Sequence, residues 1–385
     1  EESFMSSIGA IEFFKLRASY GTVGNAEIGN FDQLGLYSSI PVAGVPGQRP
    51  TQIENPDLTW EQTTQLDVGI DFGLFNNRIT GEIDYYSKKT TDLLLNVNLA
   101  GNTGFRTQTQ NVGSLENKGF EVVLNTENLV GALRWTTSFN FARNRNKVLN
   151  LGGQLLQGDF LSVAKEGEPL GIFYGPKYAG VDPANGDALY FVINPDGTQS
   201  TTNDYNSATY QPIGDPNPDF IGGITNTFSY RGIDFTFLFQ GVFGNQVYNG
   251  GGKFMSANGD FFDNQTRDQL RRWRNPGDIT DVPEARLFGA NGTGESSRYV
   301  SNAGYVRLKT VTLGYNLPSS MITRLKITNA RIYVSAQNLL TFTDYEGWDP
   351  EVNADTYAGN NINQGIDFYS APQAKTITFG INLGF

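Results

Sequence analysis

Cysteine and histidine are both absent from this sequence of 385 residues. The absence of cysteine excludes disulfide bonds and zinc-thiolate sites, and the absence of histidine removes the commonest metal ligand and the usual general base. A serine–histidine–aspartate triad therefore cannot be assembled. We predict a protein that is not an enzyme and that has no catalytic residue, metal site or cofactor.

Positive charge and long apolar runs are scarce as well. The formal net charge is −11, so the clustered positive face that nucleic acid binding needs is missing. We interpret the short basic run at Arg271, Arg272 and Arg274 as a local loop feature. No stretch approaches the ~18 consecutive apolar residues of a membrane-spanning helix. The protein is therefore either soluble or crosses a membrane as strands.

Glycine and aromatic residues are abundant. The chain has 45 Gly, 27 Phe and 18 Tyr, although only 38% of its residues are hydrophobic. Average glycine usage is roughly 7%, and an excess favours strands, bulges and tight turns over helices. A membrane β-barrel interleaves apolar with polar residues, so a modest hydrophobic content does not argue against it.

Apolar and polar residues alternate along many segments. The last eleven residues, KTITFGINLGF, place Ile377, Phe379 and Ile381 on one face of an extended strand and Thr376 and Thr378 on the other. Such segments number roughly a dozen, many of about ten residues, the length that crosses a bilayer at a tilt. Others are QLDVGIDFGLF, RITGEIDYYS, GFEVVLNTE, LRWTTSFNFARN, IDFTFLFQGVFG, YVRLKTVTLGYNLP and RIYVSAQNLLTF.

The connections between these segments differ in length in a regular way. Very short turns are predicted at Asn76-Asn77, Gly131 and Arg231-Gly232. Short turns on one rim and long loops on the other are typical of an outer-membrane barrel. The long polar stretches between the turns are 24–59, 88–112, 179–219, 244–302 and 341–374.

The residues opposite the apolar ones, and those at the segment ends, also fit a barrel. The polar partners are mostly Thr, Ser, Asn, Gln and Gly, with some Asp, as suits a water-filled or plug-filled lumen. A last strand ending on Phe385 resembles the C-terminal signal of outer-membrane assembly. Aromatic residues near segment ends fit interfacial girdles; they are Tyr20, Trp60, Tyr85, Tyr86, Trp135, Tyr230, Tyr305 and Tyr315.

Six phrases, in order along nearly the whole chain, resemble a known family. They are similar to the C-terminal barrel half of SusC/RagA-type TonB-dependent outer-membrane transporters. The phrases are RASYGTVGN, NPDLTWEQTTQLDVGIDFGLFNNRITGEIDYYSKKTTDLLL, NVGSLENKGFEVVL, GEPLGIFYG, YVRLKTVTLGYNLP and IYVSAQNLLTFTDYEGWDPEV.

The resemblance implies an all-β, transmembrane antiparallel barrel in the cell outer membrane, in contact with its lipid. It further implies active import of oligosaccharides or peptides, energised by TonB and assisted by a SusD-like surface lipoprotein. Family members carry an N-terminal plug, a TonB-contacting segment and a signal peptide, none of which is found in this sequence.

The expected number of strands bears on the absence of these segments from the sequence. A plugged transporter barrel has about 22 strands, and a half-barrel would leave two unpaired edges in hydrocarbon. We therefore expect residues 1–385 to be the C-terminal part of a longer receptor barrel, with a separate subunit as the alternative.

Candidate substrate-contacting residues are aromatic residues of the long loops, because ring faces with nearby amides and carboxylates suit sugars and peptides. The alternative for any one of them is loop packing or contact with the lipoprotein. The set is Tyr205, Tyr210, Phe261, Phe262, Trp273, Trp348 and Tyr357.

Two acidic motifs have a simpler interpretation than chemistry. The segment 182–187, DPANGD, loosely resembles a calcium loop but lacks the later bidentate glutamate, so we predict a turn. The pairs Asp67 with Asp71 and Glu82 with Asp84 are predicted to line the lumen rather than to act as acid and base. Two other functions remain open: a passive porin or structural barrel subunit, and a soluble acidic β-protein that binds glycans.

Overall fold

The computed structural model describes residues 9–257, 259–322, 327–354 and 362–385. Strands dominate, and no helix in these ranges is long and apolar enough to span a membrane. The short helices are α1 (Gly252–Met255) and α2 (Ser319–Ile322), and 3₁₀ turns occur at Gly101–Thr103, Tyr205–Ser207, Arg267–Arg271 and Ser297–Tyr299. The strands are β1 (Ile11–Asn25), β2 (Leu36–Val42), β3 (Val45–Gln52), β4 (Glu61–Leu74), β5 (Ile79–Thr91), β6 (Leu94–Asn98), β7 (Thr107–Asn111), β8 (Ser114–Val130), β9 (Leu133–Asn150), β10 (Leu156–Gln157), β11 (Ser162–Ala164), β12 (Ile172–Pro176), β13 (Tyr178–Val181), β14 (Ala188–Ile193), β15 (Gln199–Thr202), β16 (Tyr210–Gly214), β17 (Phe220–Tyr230), β18 (Ile233–Phe243), β19 (Gln246–Asn249), β20 (Val300–Asn302), β21 (Tyr305–Asn316), β22 (Asn329–Thr343), β23 (Ile366–Asp367) and β24 (Thr376–Gly384).

Ten strands form one antiparallel sheet in the order β1-β4-β5-β8-β9-β17-β18-β21-β22-β24. The order follows the chain, so each long strand pairs with the next long strand, as in an up-and-down barrel. In the described residues the sheet is open, with β1 and β24 at its edges. The all-β antiparallel prediction is confirmed; ten of the roughly dozen expected long strands belong to this sheet.

The short turns occur where the sequence predicts them. Between β4 and β5, Asn76 and Asn77 adopt φ values of 57° and 60°, a left-handed conformation that asparagine tolerates. Between β17 and β18, Arg231 and Gly232 have φ values of 48° and 86°, as the two-residue hairpin turn of type I′ requires. Residues 131–132 join β8 to β9. These turns share one rim of the sheet.

The long connections all lie on the opposite rim, as predicted, at 26–60, 92–113, 151–219, 244–304 and 344–375. The third begins at residue 151 rather than at 179, because β10 to β12 pair with one another and with β16 instead of joining the main sheet. Small sheets also form from β13-β14-β15 and from β20-β19-β23. In the described residues, the long connections therefore contain hydrogen-bonded strands of their own.

The two faces of the large sheet differ in polarity, and cross-strand register keeps each face uniform. On the face we call apolar, Leu66, Val68 and Ile70 of β4 lie opposite Tyr20, Ala18 and Leu16 of β1. Many large side chains of this face are exposed, as a surface that contacts hydrocarbon would be. The other face, called polar below, carries the intervening residues. A shift of one residue would exchange the faces, so the alternation fixes the register.

Glycines on the polar face leave room for aromatic rings of the neighbouring strand. Tyr86 of β5 lies opposite Gly119 of β8, and a Cβ atom at Gly119 would stand 2.2 Å from the Tyr86 hydroxyl oxygen. Tyr333 covers Gly380 in the same way. Each ring thereby occupies the space that a side chain on the glycine would need.

We expect Gly119→Ala to destabilise the sheet by about 1–3 kcal/mol, because the methyl group displaces Tyr86 and breaks its 2.9 Å hydrogen bond to Asn144 Oδ1. Urea unfolding of the folded barrel measures the effect. The control is Gly223→Ala, where the nearest atoms belong to the rotatable amide of Asn140, 3.2 Å away. Equal stability of the two variants would contradict the prediction.

Candidate functional site

The polar face is charged over its first strands. Arg17 of β1 donates from Nε to Asp71 Oδ1 at 2.7 Å, and its Nη2 lies 3.0 Å from Asp84 Oδ1. Ser19 donates to Asp67 at 3.3 Å. Glu82 shares this face, opposite Val123 of β8. The carboxylates predicted to line the lumen thus stand on the polar face, and Asp71 and Asp84 act as counter-ions of Arg17.

The remainder of the polar face is crossed by a row of hydroxyl groups. Each member lies directly opposite the next, so the row runs unbroken over six strands from β9 to β24. Some members bond to one another: Thr227 to Thr236 at 3.1 Å, and Thr312 to Ser335 at 2.9 Å. The row gives this wall neutral donors and acceptors. Its members are Thr136, Thr227, Thr236, Thr312, Ser335 and Thr378.

Three long connections, 151–219, 244–304 and 344–375, pack together at the rim through the residues that the structure describes, and we call these residues the loop layer. Tyr248 of β19 and Phe173 of β12 are fully buried in its core, with Leu161 and Tyr299. Strand β19 pairs with β20 and with β23 of the last connection, so one small sheet joins two loops. Burial raises the pKa of Tyr299 to about 12 and that of Tyr248 further, so these rings remain neutral.

A buried ionic cluster attaches the loop layer to the large sheet. Arg307 of β21 contacts Asp349 (Nη2–Oδ1, 2.5 Å) and Glu351 (Nη1–Oε2, 2.7 Å) of the last connection. Lys309 Nζ reaches Glu351 at 2.6 Å, and Arg307 Nε donates to the Thr341 hydroxyl at 3.0 Å. Sequence reasoning missed this cluster. The signal for it is a pair of cations two residues apart in an otherwise uncharged strand segment.

Two of the predicted substrate-contacting residues pack inside the loop layer. Trp273 is 6% exposed, and its Nε1 donates to the Pro183 carbonyl at 3.1 Å. Tyr205 is partly buried against Tyr190, with ring centroids 5.3 Å apart, and its hydroxyl donates to the Glu295 carbonyl. Both therefore join segments far apart in sequence.

The other described members are at the surface. Tyr210, Phe261, Phe262 and Trp348 are exposed, and Phe385, after the end of β24, is exposed too. Tyr210 lies beside Tyr205 and also contacts the Tyr174 ring, whereas Phe262 contacts Phe288, so the described members do not all form one cluster. Tyr357 lies outside the described residues. Contact with a substrate, and an assembly role for Phe385, stay predictions.

The segment 182–187 forms a turn. The Asp182 carboxylate accepts from the Ala184 N–H at 2.8 Å, and Asn185 Oδ1 accepts from the Asp187 N–H at 3.0 Å. Arg286 holds Asp187 at 2.6 Å. Burial alone would raise the pKa of Asp187, but hydrogen bonds from Asn203 and Arg286 outweigh it and lower the pKa. The carboxylates thus serve the turn and an ion pair.

Comparison with known proteins identifies relatives of this chain in sequence and in structure. Residues 2–165 match the family described as "TonB dependent receptor-like, beta-barrel". The chain is 38% identical over its whole length to TonB-dependent receptor P3 of Formosa agariphila, and 30% identical to TonB-dependent receptor SusC of Bacteroides thetaiotaomicron. A solved structure of the RagAB peptide transporter matches all of it with a TM-score of 0.86 and 29% identity.

The chain covers only part of each relative: 40% of the Formosa receptor, 39% of SusC and 42% of the matched RagAB chain. The open ten-stranded sheet agrees with a portion of a larger barrel. The TonB-dependent receptor barrels are an outer-membrane family. Over residues 2–165 this chain thus has the β-barrel domain of TonB-dependent receptors, and along its whole length it is similar in sequence and fold to SusC and to the RagAB peptide transporter.

Proposed function

We propose that the protein containing this chain imports oligosaccharides or peptides across the outer membrane, energised by TonB and assisted by a SusD-like surface lipoprotein. The observation that carries the proposal is similarity along the whole chain both to SusC and to the RagAB peptide transporter. Transport, rather than catalysis, is the activity we assign.

Each structural layer has a part in this proposal. The polar face forms one wall of the import path, where the hydroxyl row from Thr136 to Thr378 can exchange hydrogen bonds with a hydroxyl- or amide-rich cargo. The loop layer, on the rim that carries the long connections, faces the cell exterior and offers surfaces to cargo and lipoprotein. The apolar face contacts outer-membrane lipid. TonB acts on a region of the protein outside these 385 residues.

Uptake in cells tests the proposal. Cells that express the gene are given fluorescent oligosaccharides or peptides too large for porins, and uptake is compared after deletion of tonB, of the SusD-like gene, or after addition of a protonophore. We expect each treatment to reduce uptake to the level of cells without the gene. Entry of a small porin substrate is the control. Uptake that persists without energy would support the porin alternative instead.

A further inference from the structure

Within the described residues, Arg271 is the one arginine of the basic run that forms an ion pair. Arg271 forms an exposed ion pair with Asp281 at 3.1 Å, and Arg274 donates to the Leu270 carbonyl at 3.3 Å. Arg272 donates from Nη1 to the Gln269 carbonyl at 3.2 Å and has no carboxylate partner in the described residues. Arg267, at the start of the same 3₁₀ turn, also has none there. Arg267, Arg272 and Arg274 therefore carry positive charges without an ion-pair partner in the described part of the chain.

Arg267 and Arg272 line one cavity of the loop layer, whereas Arg274 does not. The cavity has a volume of about 390 Å³, and none of the residues that line it is an aspartate or a glutamate. Thr266 and Gln269 contribute polar groups beside Arg267 and Arg272. The neighbouring carboxylate of Asp268 bonds Thr266 and Gln269 and forms no ion pair with either arginine in the described residues. In a chain with a net charge of −11, two arginines without an ion pair in one cavity are a local excess of positive charge. It attracts an anionic group that the surrounding surface repels.

Gln269 supplies an independent sign of a missing ligand. Its side chain is 7% exposed, and its Oε1 has no hydrogen-bond partner within the part of the chain that the structure describes, although its Nε2 donates to Asp268 at 2.8 Å. A buried acceptor without a donor is costly, because it has lost its hydrogen bonds to water and gained none in the protein. A hydroxyl group of a bound molecule would provide that donor.

Exposed aromatic rings lie next to the cavity. The Phe288 N–H donates at 3.3 Å to the carbonyl of Gly259, a residue that lines the cavity. The Phe288 ring meets Phe262 edge to face, at 5.4 Å, and Phe262 is 92% exposed. Ring faces pack against the C–H face of a sugar, whereas arginines bind its acidic substituents. The acceptor for a hydroxyl group, the exposed rings and the two arginines together favour an acidic sugar over an acidic peptide as the ligand.

We propose that this cavity binds an oxyanion, a carboxylate or a sulfate, carried by an oligosaccharide. The proposal rests on the import function and narrows its cargo to acidic glycans. Arg267 and Arg272 donate to the oxyanion, Gln269 Oε1 accepts from a sugar hydroxyl, and Phe262 and Phe288 flank the sugar rings. Guanidinium groups suit this task because they donate two parallel hydrogen bonds to a planar carboxylate or a sulfate edge.

Calorimetric titration of the full-length receptor in detergent tests the cavity. The probes are trigalacturonate, a sulfated carrageenan tetrasaccharide, maltotriose as the neutral sugar and hexaglutamate as the acidic peptide. We expect one or both acidic sugars to bind at least tenfold more tightly than maltotriose or hexaglutamate, and less tightly in high salt. The acidic sugar that binds more tightly identifies carboxylate or sulfate as the source of the oxyanion.

Matched charge variants locate the binding. The double variant Arg267→Gln, Arg272→Gln should weaken binding of the acidic sugar at least tenfold, since it removes the charge-assisted hydrogen bonds to the oxyanion. Arg274→Gln removes the same charge from the same segment outside the cavity, and should change affinity less than about twofold. The double variant with lysine at both positions, which keeps the charge, checks that folding is retained and should bind with intermediate affinity.

Several results would overturn the proposal: no binding of any probe, equal binding of maltotriose, tighter binding of hexaglutamate, or the same loss in Arg274→Gln as in the double variant. These failures are distinct from failure of the import function, which the cellular assay measures. Energy-dependent uptake of neutral cargo, with no preference for acidic cargo, would contradict the proposed ligand of the cavity and leave the import function standing. Tight acidic binding without uptake would overturn import alone.

Discussion

Arg307→Met is expected to release the last long connection from the barrel wall and to cost about 3–5 kcal/mol of stability. Arg307 is 2% exposed, and its guanidinium is the common partner of Asp349 and Glu351. Removing one side of a buried ion pair leaves the other charge without compensation, which is far worse than never having buried it. Lys309 can still reach Glu351, so Asp349 bears most of the penalty.

The control for this variant is Arg145→Met. Arg145 also bonds an aspartate, Asp219, but the two side chains are 48% and 53% exposed. Exposed pairs contribute about 0–1 kcal/mol, so little change is expected. Urea unfolding gives the free energies, and brief digestion with proteinase K followed by mass spectrometry shows whether 344–375 becomes accessible. Equal effects of the two substitutions, or an uncut connection in Arg307→Met, would disprove the attachment role.

The stability of Arg307→Met should respond to acid in the opposite direction from the stability of the unchanged protein. Burial alone would raise the pKa of Asp349, but hydrogen bonds from Arg307 and from the N–H groups of Glu351 and Gln373 lower it. A carboxyl group with a lowered pKa stabilises the folded state above its unfolded pKa of about 3.9, and loses this contribution as the pH falls through the folded value. Without Arg307, burial has the larger effect on the pKa of Asp349, and protonation of this carboxylate removes an uncompensated buried charge. The stability gap between the two proteins should therefore narrow as the pH falls from 7 towards 4.

The sequence predicts the sheet well because membrane and lumen demand different residues at alternate positions. A two-residue period identifies both the strands and their faces, and the Asn76-Asn77 and Arg231-Gly232 turns mark the hairpins. The period cannot say which short strands leave the main sheet. Strands β10 to β12 pair with one another, and β12 pairs with β16 later in the same connection, so contacts within the connection keep them out of the main sheet.

The loop layer was predicted less well, for a physical reason. An aromatic residue in a polar loop has the same local sequence whether it packs inside or faces solvent. Trp273 is buried by Pro183 and Gly186, about 90 residues earlier in the chain, and no local pattern reports such a contact. Arg307 is comparable: its charge in a strand was visible, but the partners that neutralise it are more than 40 residues away. Contacts between residues far apart in the sequence determine both of these sites.

Trp273→Ala is expected to loosen the loop layer by about 3–5 kcal/mol, because deleting a buried indole leaves a cavity. The ring packs against Gly186, where a Cβ atom would stand 2.6 Å from it, and Nε1 bonds the Pro183 carbonyl. Hydrogen exchange of residues 182–187 and 273–284 should accelerate in the variant. Trp348→Ala is the control, since Trp348 is 61% exposed and its loss should cost less than about 1 kcal/mol.

Trp273→Phe separates packing from the substrate contact predicted from the sequence. Phenylalanine keeps most of the buried area and loses only the hydrogen bond to Pro183, so exchange in 182–187 should increase modestly while cargo affinity stays within about twofold. This is the expected result if Trp273 acts by holding the 182–187 turn against the 273–284 segment. A large loss of affinity with unchanged exchange would instead assign the indole to the cargo itself, because only a directly contacted ring can change binding without changing the surrounding loops.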